Sequence, residues 1–107
     1  MNQQDLDKFN AFLLDRRTFS YKTFGSKEVR GCVYPLRHLK KEVQELLDNI
    51  DDPMEWADCF LLFTDAAERK GHSFNDLIDF AMKKLEINKK RTWAEGPNGV
   101  IEHTNDE

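Results

Sequence analysis

The stretch Glu42-Val43-Gln44-Glu45-Leu46-Leu47-Asp48-Asn49-Ile50-Asp51-Asp52-Pro53-Met54-Glu55-Trp56-Ala57-Asp58 decides how this chain folds. It is predicted to hold the end of one helix and the start of the next. Leu36, Leu39, Val43, Leu46, Leu47 and Ile50 recur at helical spacing and form one apolar stripe, which predicts a helix from about Pro35 to Ile50. Pro35 suits the first turn, where its missing N–H costs nothing. The following helix has the clearest start signal in the chain. Asp52 suits the N-cap, Pro53 the first helical position and Glu55 the third, so Asp-x-x-Glu resembles a capping box. This helix is predicted to run to about Lys70, with Gly71 as its stop. Only Asp51 to Pro53 joins the two helices, and so short a connection makes antiparallel neighbours.

The same stretch carries the chemistry. Glu42 and Glu45 stand at i, i+3, and so do Glu55 and Asp58, which puts the members of each pair on one helix face. All four carboxylates are predicted to meet near the closed end of the hairpin. A hard divalent cation such as Mg²⁺ takes oxygen ligands and keeps some of its water. Such an ion neutralises phosphate charge and acidifies water. Each carboxylate also has a plainer reading. Glu55 can simply complete the capping box, and Glu42 and Glu45 can be solvated helix residues. Asp58 can be the exposed position of an amphipathic helix, or pair with Arg69. Asp58 is the sharpest clue, because it interrupts Trp56-Ala57-Asp58-Cys59-Phe60-Leu61-Leu62-Phe63, where burial without a partner is costly.

The remaining segments supply helices and positive charge. Leu6, Phe9, Phe12 and Leu13 predict a first helix from about Asp5 to Arg17. Phe19 to Val33, with two glycines and mixed charge, reads as a loop, and Phe24-Gly25 as a turn anchored by an aromatic ring. Apolar residues on nearly every side of the Pro53 helix predict that it is central or shared with another subunit. A last helix is predicted from the Ser73 N-cap, with Asp76 at N3, to about Arg91, and its inner face is Leu77, Ile78, Ala81, Met82, Leu85 and Ile87. The tail from Trp93 to Glu107 has no periodicity and reads as irregular.

Lys84, Asn88 and Arg91 are spaced to share a face of the last helix. They are candidates for binding phosphate, and Trp93 for stacking on a base. The plainer alternative is a solvated basic helix end. His38 lies one turn before Glu42 and is a candidate contact to substrate, or a structural histidine. His72 reads as a loop residue, and His103 as a tail residue that closes over a nucleotide.

Composition agrees with this layout. The chain has 107 residues, with 34% charged and only three prolines and five glycines, which predicts one all-α domain over residues 1–107. The architecture expected is an antiparallel bundle of about four helices, completed by oligomerisation. A net charge of −4 argues against stable nucleic-acid binding. No apolar run is long enough to span a membrane, and the N-terminus lacks the layout of a secretory signal, so the expected location is cytoplasmic. Cys32 and Cys59 form no CxxC pair, and Cys59 reads as a buried thiol. There is no Glu-x-x-His, P-loop, Gly-x-Ser-x-Gly or Gly-x-Gly-x-x-Gly pattern.

Glu42-x-x-Glu45 followed by Glu55-x-x-Asp58 resembles the acidic signature of the all-α nucleoside triphosphate pyrophosphohydrolases, the MazG and dimeric dUTPase superfamily. Lys84-x-x-x-Asn88-x-x-Arg91 resembles its basic motif. Phe24-Gly25, His38-Leu39, Arg69-x-Gly71-His72-Ser73, Arg91-x-Trp93 and Glu102-His103 extend the likeness to the small phage and bacterial dATP/dGTP diphosphohydrolases. One departure is Gly25-Ser26, where that branch often has Gly-Pro. The resemblance implies hydrolysis of a (deoxy)nucleoside triphosphate, dATP or dGTP, to the monophosphate and pyrophosphate. It implies Mg²⁺, with Mn²⁺ as a substitute, held by Glu42, Glu45, Glu55 and Asp58, with Glu42 or Glu45 as base. It places His38, Lys84, Asn88, Arg91 and Trp93 on the substrate, and it implies a homodimer or homotetramer. The rival readings are a non-enzymatic helical interaction module of the same fold and a dUTP or dCTP pyrophosphatase.

Overall fold

The computed structural model describes residues 2–96 and 99–103, the side chain of His103 excepted. Four helices follow one another: α1 (Gln3–Phe24), α2 (Val33–Asp48), α3 (Pro53–Lys70) and α4 (Phe74–Lys89). Two short strands follow, β1 (Trp93–Glu95) and β2 (Ile101–His103). The described residues are all-α apart from this hairpin. No helix among the described residues is long and apolar enough to cross a membrane. The chain groups into two compact units, Met1–Ser73 and Phe74–Glu107.

In the first unit α2 and α3 form the predicted helical hairpin, and α1 also packs on α3. The start of α3 follows its sequence signal: the Asp52 carboxylate accepts from the Met54 N–H at 3.0 Å, with Pro53 in the first turn. Its end is a Schellman motif. Gly71 has φ 101°, its N–H donates to the Glu68 carbonyl, and the His72 N–H donates to that of Ala67. The α2–α3 turn is pinned by the Trp56 indole, whose N–H donates to the Ile50 carbonyl at 2.8 Å.

α1 is longer than its apolar pattern predicts. It starts at the Asn2 cap, which accepts from the Asp5 N–H, and it runs through the expected loop as far as Phe24. The cause is chemical. Beyond Leu13 the inward residues are Arg16 and Ser20, both buried, so the apolar period stops while the helix continues. Their partner is α3. Arg16 donates to Asp65 and Glu68, Ser20 donates to Asp65, and Arg69 donates to Asp65, to the Ser20 hydroxyl and to the Arg30 carbonyl. Arg17 also donates to Glu68. Burial pushes the Glu68 carboxyl up, but hydrogen bonds from Arg17 and Arg16 outweigh it and hold it below the usual carboxylate range. Next to this polar core, Phe12 stacks on Phe60 with centroids 5.5 Å apart, and Phe9 meets both rings edge-on.

After α1, Gly25 turns the chain with φ 95°, and an added Cβ there would lie 2.8 Å from Val29. The Phe24 ring packs against Phe19 and Tyr34, and Arg30 donates to the Phe24 carbonyl. Ser26, at the departure from Gly-Pro, accepts from the N–H groups of Val29 and Arg30.

In the second unit, α4 begins directly after Ser73 and ends at Lys89, two residues before the expected end. Part of the tail expected to be irregular is the hairpin, paired Trp93 with His103, Ala94 with Glu102 and Glu95 with Ile101. Strands of three residues are too short to show an alternating pattern. The expectation that His103 closes over a nucleotide concerns a side chain outside the described residues.

Candidate functional site

The closed end of the α2–α3 hairpin gathers the acidic residues. One carboxylate oxygen from each of Glu42, Glu45 and Glu55 lies within 4.8 Å of the others. Asp58 stands one helical turn beyond Glu55 and outside that closest group, although its charge acts on both Glu42 and Glu55. Asp58 is exposed, as one of its two plainer readings has it, so its apolar neighbours do not bury it. Nor does Arg69 pair with it; that guanidinium is committed to Asp65.

Two oxygens mark the site. Glu42 Oε2 and Glu55 Oε2 are buried and have no hydrogen-bond partner. The capping-box role does not account for Glu55, because the Asp52 N–H donates instead to the Asn49 carbonyl at 3.0 Å. Buried carboxylate oxygens normally find a donor, and an orphan needs a reason. Three glutamates around one small volume, two with unused buried oxygens, suit a hard divalent cation.

The electrostatics agree. A hydrogen bond with Glu45 raises the Glu42 carboxyl first, then burial, then the charges of Glu45 and Asp58, with His38 acting in the opposite direction. Burial raises Glu55, helped by Glu45, Asp58 and Asp52. Burial also pushes the Cys59 thiol up, reinforced by Glu42, Asp58 and Glu55. Cys59 and Cys32 are both free and half-buried, so Cys59 is less enclosed than its sequence predicts.

A pH dependence follows. In the metal-free protein Glu42 and Glu55 hold protons above the pH at which the unfolded chain sheds them. Across that window the folded state binds more protons, so metal-free stability falls as pH rises. A cation must displace those protons, so its affinity rises with pH over the same window. Calorimetric Mn²⁺ titrations from mildly acidic to neutral pH, in buffers of different ionisation enthalpy, should show rising affinity and proton release. A flat affinity with no proton release would exclude these carboxylates as the ligands.

The other candidates divide between the two units. His38 Nε2 lies 3.4 Å from Glu42 Oε1, on the acidic site. Lys84 and Asn88 are on α4, whereas Arg91 follows its end, so the three do not share one helix as expected. Lys84 is exposed, and Asn88 and Arg91 are half-buried. Asn88 Oδ1 and Arg91 Nε are themselves buried without hydrogen-bond partners. The Trp93 indole N–H donates to the Asn88 carbonyl at 2.8 Å. Sequence reasoning missed Arg16, Ser20 and Asp65, whose only signal was a polar side chain at each place where an apolar one would continue a helical stripe.

An acidic helical hairpin of this kind defines a class, the MazG-like nucleotide pyrophosphohydrolases. The solved structure of a Cyanophage S-2L MazG-like pyrophosphohydrolase, bound to dGDP and three catalytic Mn²⁺ ions per active site, superposes with a TM-score of 0.72 and 26% identity, over 89% of this chain and 95% of that one. A family model described as dATP/dGTP pyrophosphohydrolase matches residues 14–106, and the chain belongs to that family. The dATP/dGTP diphosphohydrolase of Cyanophage S-2L is 37% identical over 88 residues, 71% of this chain and 81% of that protein. The Eaa protein of Salmonella phage P22 is 46% identical over 48 residues; the match covers 45% of this chain and only 15% of Eaa.

Proposed function

We propose that this chain hydrolyses dATP and dGTP to the monophosphate and pyrophosphate, with Mg²⁺ or Mn²⁺ held by Glu42, Glu45, Glu55 and Asp58. The observation that carries the reading is the pair of buried, unpartnered oxygens of Glu42 and Glu55 beside Glu45. The divalent cation supplies neutralisation of phosphate charge and acidification of water. Glu42 or Glu45 takes the proton of the water whose oxygen bonds to the α-phosphorus. The bond between the α-phosphorus and the bridging oxygen breaks, and pyrophosphate leaves. Lys84 and Arg91 are assigned to the phosphate charge, Asn88 to a polar contact and Trp93 to stacking. His38 is assigned to the substrate side of Glu42.

Purine choice is supported by the relatives, one a dATP/dGTP diphosphohydrolase and another holding dGDP. The Mn²⁺ ions of that neighbour support either cation. The family match across both compact units supports a single domain over residues 1–107. Exposed Leu47, Trp56, Phe60 and Phe63 on α2 and α3 support a homodimer or homotetramer, because so much apolar surface is unusual on a monomer. A free nucleotide substrate suits the cytoplasm of a bacterial or phage-infected cell, without nucleic acid or membrane as partner.

The test is pyrophosphate release from dATP, dGTP, dCTP, dTTP and dUTP with Mg²⁺ or Mn²⁺, for wild type and Asp58→Ala. Release from the purine substrates by wild type, reduced about 100-fold or more in the variant, is expected. Release from dUTP or dCTP alone would overturn the purine assignment. No release from any substrate would overturn the enzyme reading.

A further inference from the structure

The turn that closes the acidic hairpin is tied from both sides. Asn49 caps the end of α2, and its Nδ2 donates to the Glu45 carbonyl at 3.1 Å. The Asn49 carbonyl accepts from the Asp52 N–H at 3.0 Å, which makes Asn49 to Asp52 a four-residue turn. From the other helix, the Trp56 indole reaches back and donates to the Ile50 carbonyl at 2.8 Å. Ile50 and Asp51 are the central residues of the turn, so the indole holds its middle peptide.

Both ties fall beside residues of the acidic site. Asn49 grips the backbone of Glu45 itself, and Trp56 is the neighbour of Glu55. Glu45 and Glu55 belong to different helices, yet an oxygen of each lies within 4.8 Å of the other, and only this turn joins the two helices. The turn also decides what Glu55 does. Asp52 and Glu55 are spaced for a capping box, in which the Glu55 carboxylate would accept from the Asp52 N–H. Because the Asn49 carbonyl holds that N–H, Glu55 keeps a buried oxygen without a partner. An opened turn would free the Asp52 N–H and let the Glu55 carboxylate fold back on it, away from Glu42 and Glu45. Trp56 is 55% exposed, so core packing alone does not account for a tryptophan here.

We propose that Trp56 is a positioning residue for the metal site. Its indole N–H locks the α2–α3 turn in the form that denies Glu55 its capping box and presents that carboxylate to a cation. Trp56 has this role only if the acidic residues hold a cation, as proposed above. It acts through Glu55 and not by touching the cation or the substrate.

The experiment is a calorimetric Mn²⁺ titration of wild type, Trp56→Phe and Trp56→His at one protein concentration, with metal-free thermal melts of all three. Phenylalanine keeps an aromatic ring and removes the N–H. Histidine restores a donor, because the imidazole Nε2 stands where the indole Nε1 does. The expected result is about 3- to 10-fold weaker Mn²⁺ binding by Trp56→Phe, the range that one neutral hydrogen bond allows, and near wild-type affinity for Trp56→His. The metal-free Tm of Trp56→Phe should stay close to that of wild type, because the capping box replaces the lost bond at the start of α3. Asn49→Ala loosens the same turn from the α2 side; it should weaken Mn²⁺ binding likewise, and decides the matter if Trp56→Phe does not melt cooperatively. Unchanged Mn²⁺ affinity in the folded variants, with or without a lower Tm, would make the turn a structural element only and overturn the proposal. Equal weakening by both Trp56 variants would overturn it too, since the N–H would then not matter. A wild type that binds no Mn²⁺ would instead overturn the metal reading, and the proposal with it, before any variant is compared.

Discussion

Glu55→Gln is expected to cut kcat/KM for pyrophosphate release by about 100-fold or more while making the metal-free protein slightly more stable at neutral pH. The two signs come from one cause. Glu55 is raised by burial and by its carboxylate neighbours, so its ionised form is disfavoured in the metal-free fold. Glutamine keeps the shape, removes that like charge and brings an N–H₂ that can serve neighbouring carboxylates. It also removes a ligand that a divalent cation needs. Thermal melts should therefore show a higher Tm without metal and a smaller gain on adding Mn²⁺. The substitution separates two roles for Glu55, because Gln serves a capping box as well as Glu does. Near-normal activity would mean that Glu55 acts only at the start of α3. A lower metal-free Tm would mean that its charge is not strained by the cluster.

The hairpin that builds this site was legible because its signals are local. Asp52, Pro53 and Gly71 set the ends of α3 through backbone geometry that needs no knowledge of the rest of the molecule. The short turn then forces α2 and α3 together and brings Glu42, Glu45 and Glu55 within reach. What was not legible depends on long-range pairing. α1 looked short because Arg16 and Ser20 occupy its inward face, and only the arrival of Asp65 from α3 makes those positions core. Arg69 was a reasonable partner for Asp58 by composition, but i, i+4 spacing gives it to Asp65. The orphan oxygen of Glu55 could not be foreseen either, since Glu at the third helical position ordinarily reaches back to the cap. Here the cap N–H is already taken by Asn49.

The largest effect on stability is expected from Arg69→Met. The Arg69 side chain is fully buried, and its guanidinium donates to Asp65, to the Arg30 carbonyl and to Ser20 at 3.0, 2.7 and 2.7 Å. It also lies 5.0 Å from the centre of the Tyr21 ring. Methionine fills much of the volume and leaves each of those acceptors short of a donor. Breaking one side of a buried ion pair costs about 3–5 kcal/mol, and each kcal/mol moves Tm by about 4–8 °C in a domain of this size. The variant should melt more than ten degrees lower, measured at fixed protein concentration. Asp65→Leu alone should be similarly damaging, since it strands the Arg69 charge. The double variant Arg69→Met with Asp65→Leu should lose clearly less than the sum of the two, by about 1–3 kcal/mol, because it removes both charges together. Additive losses would mean that the two residues stabilise the fold separately. Coupled losses would mean that a charged network, rather than apolar packing, fastens α1 and the Arg30 segment to α3. That same network is the polarity that hid the length of α1 from its sequence pattern.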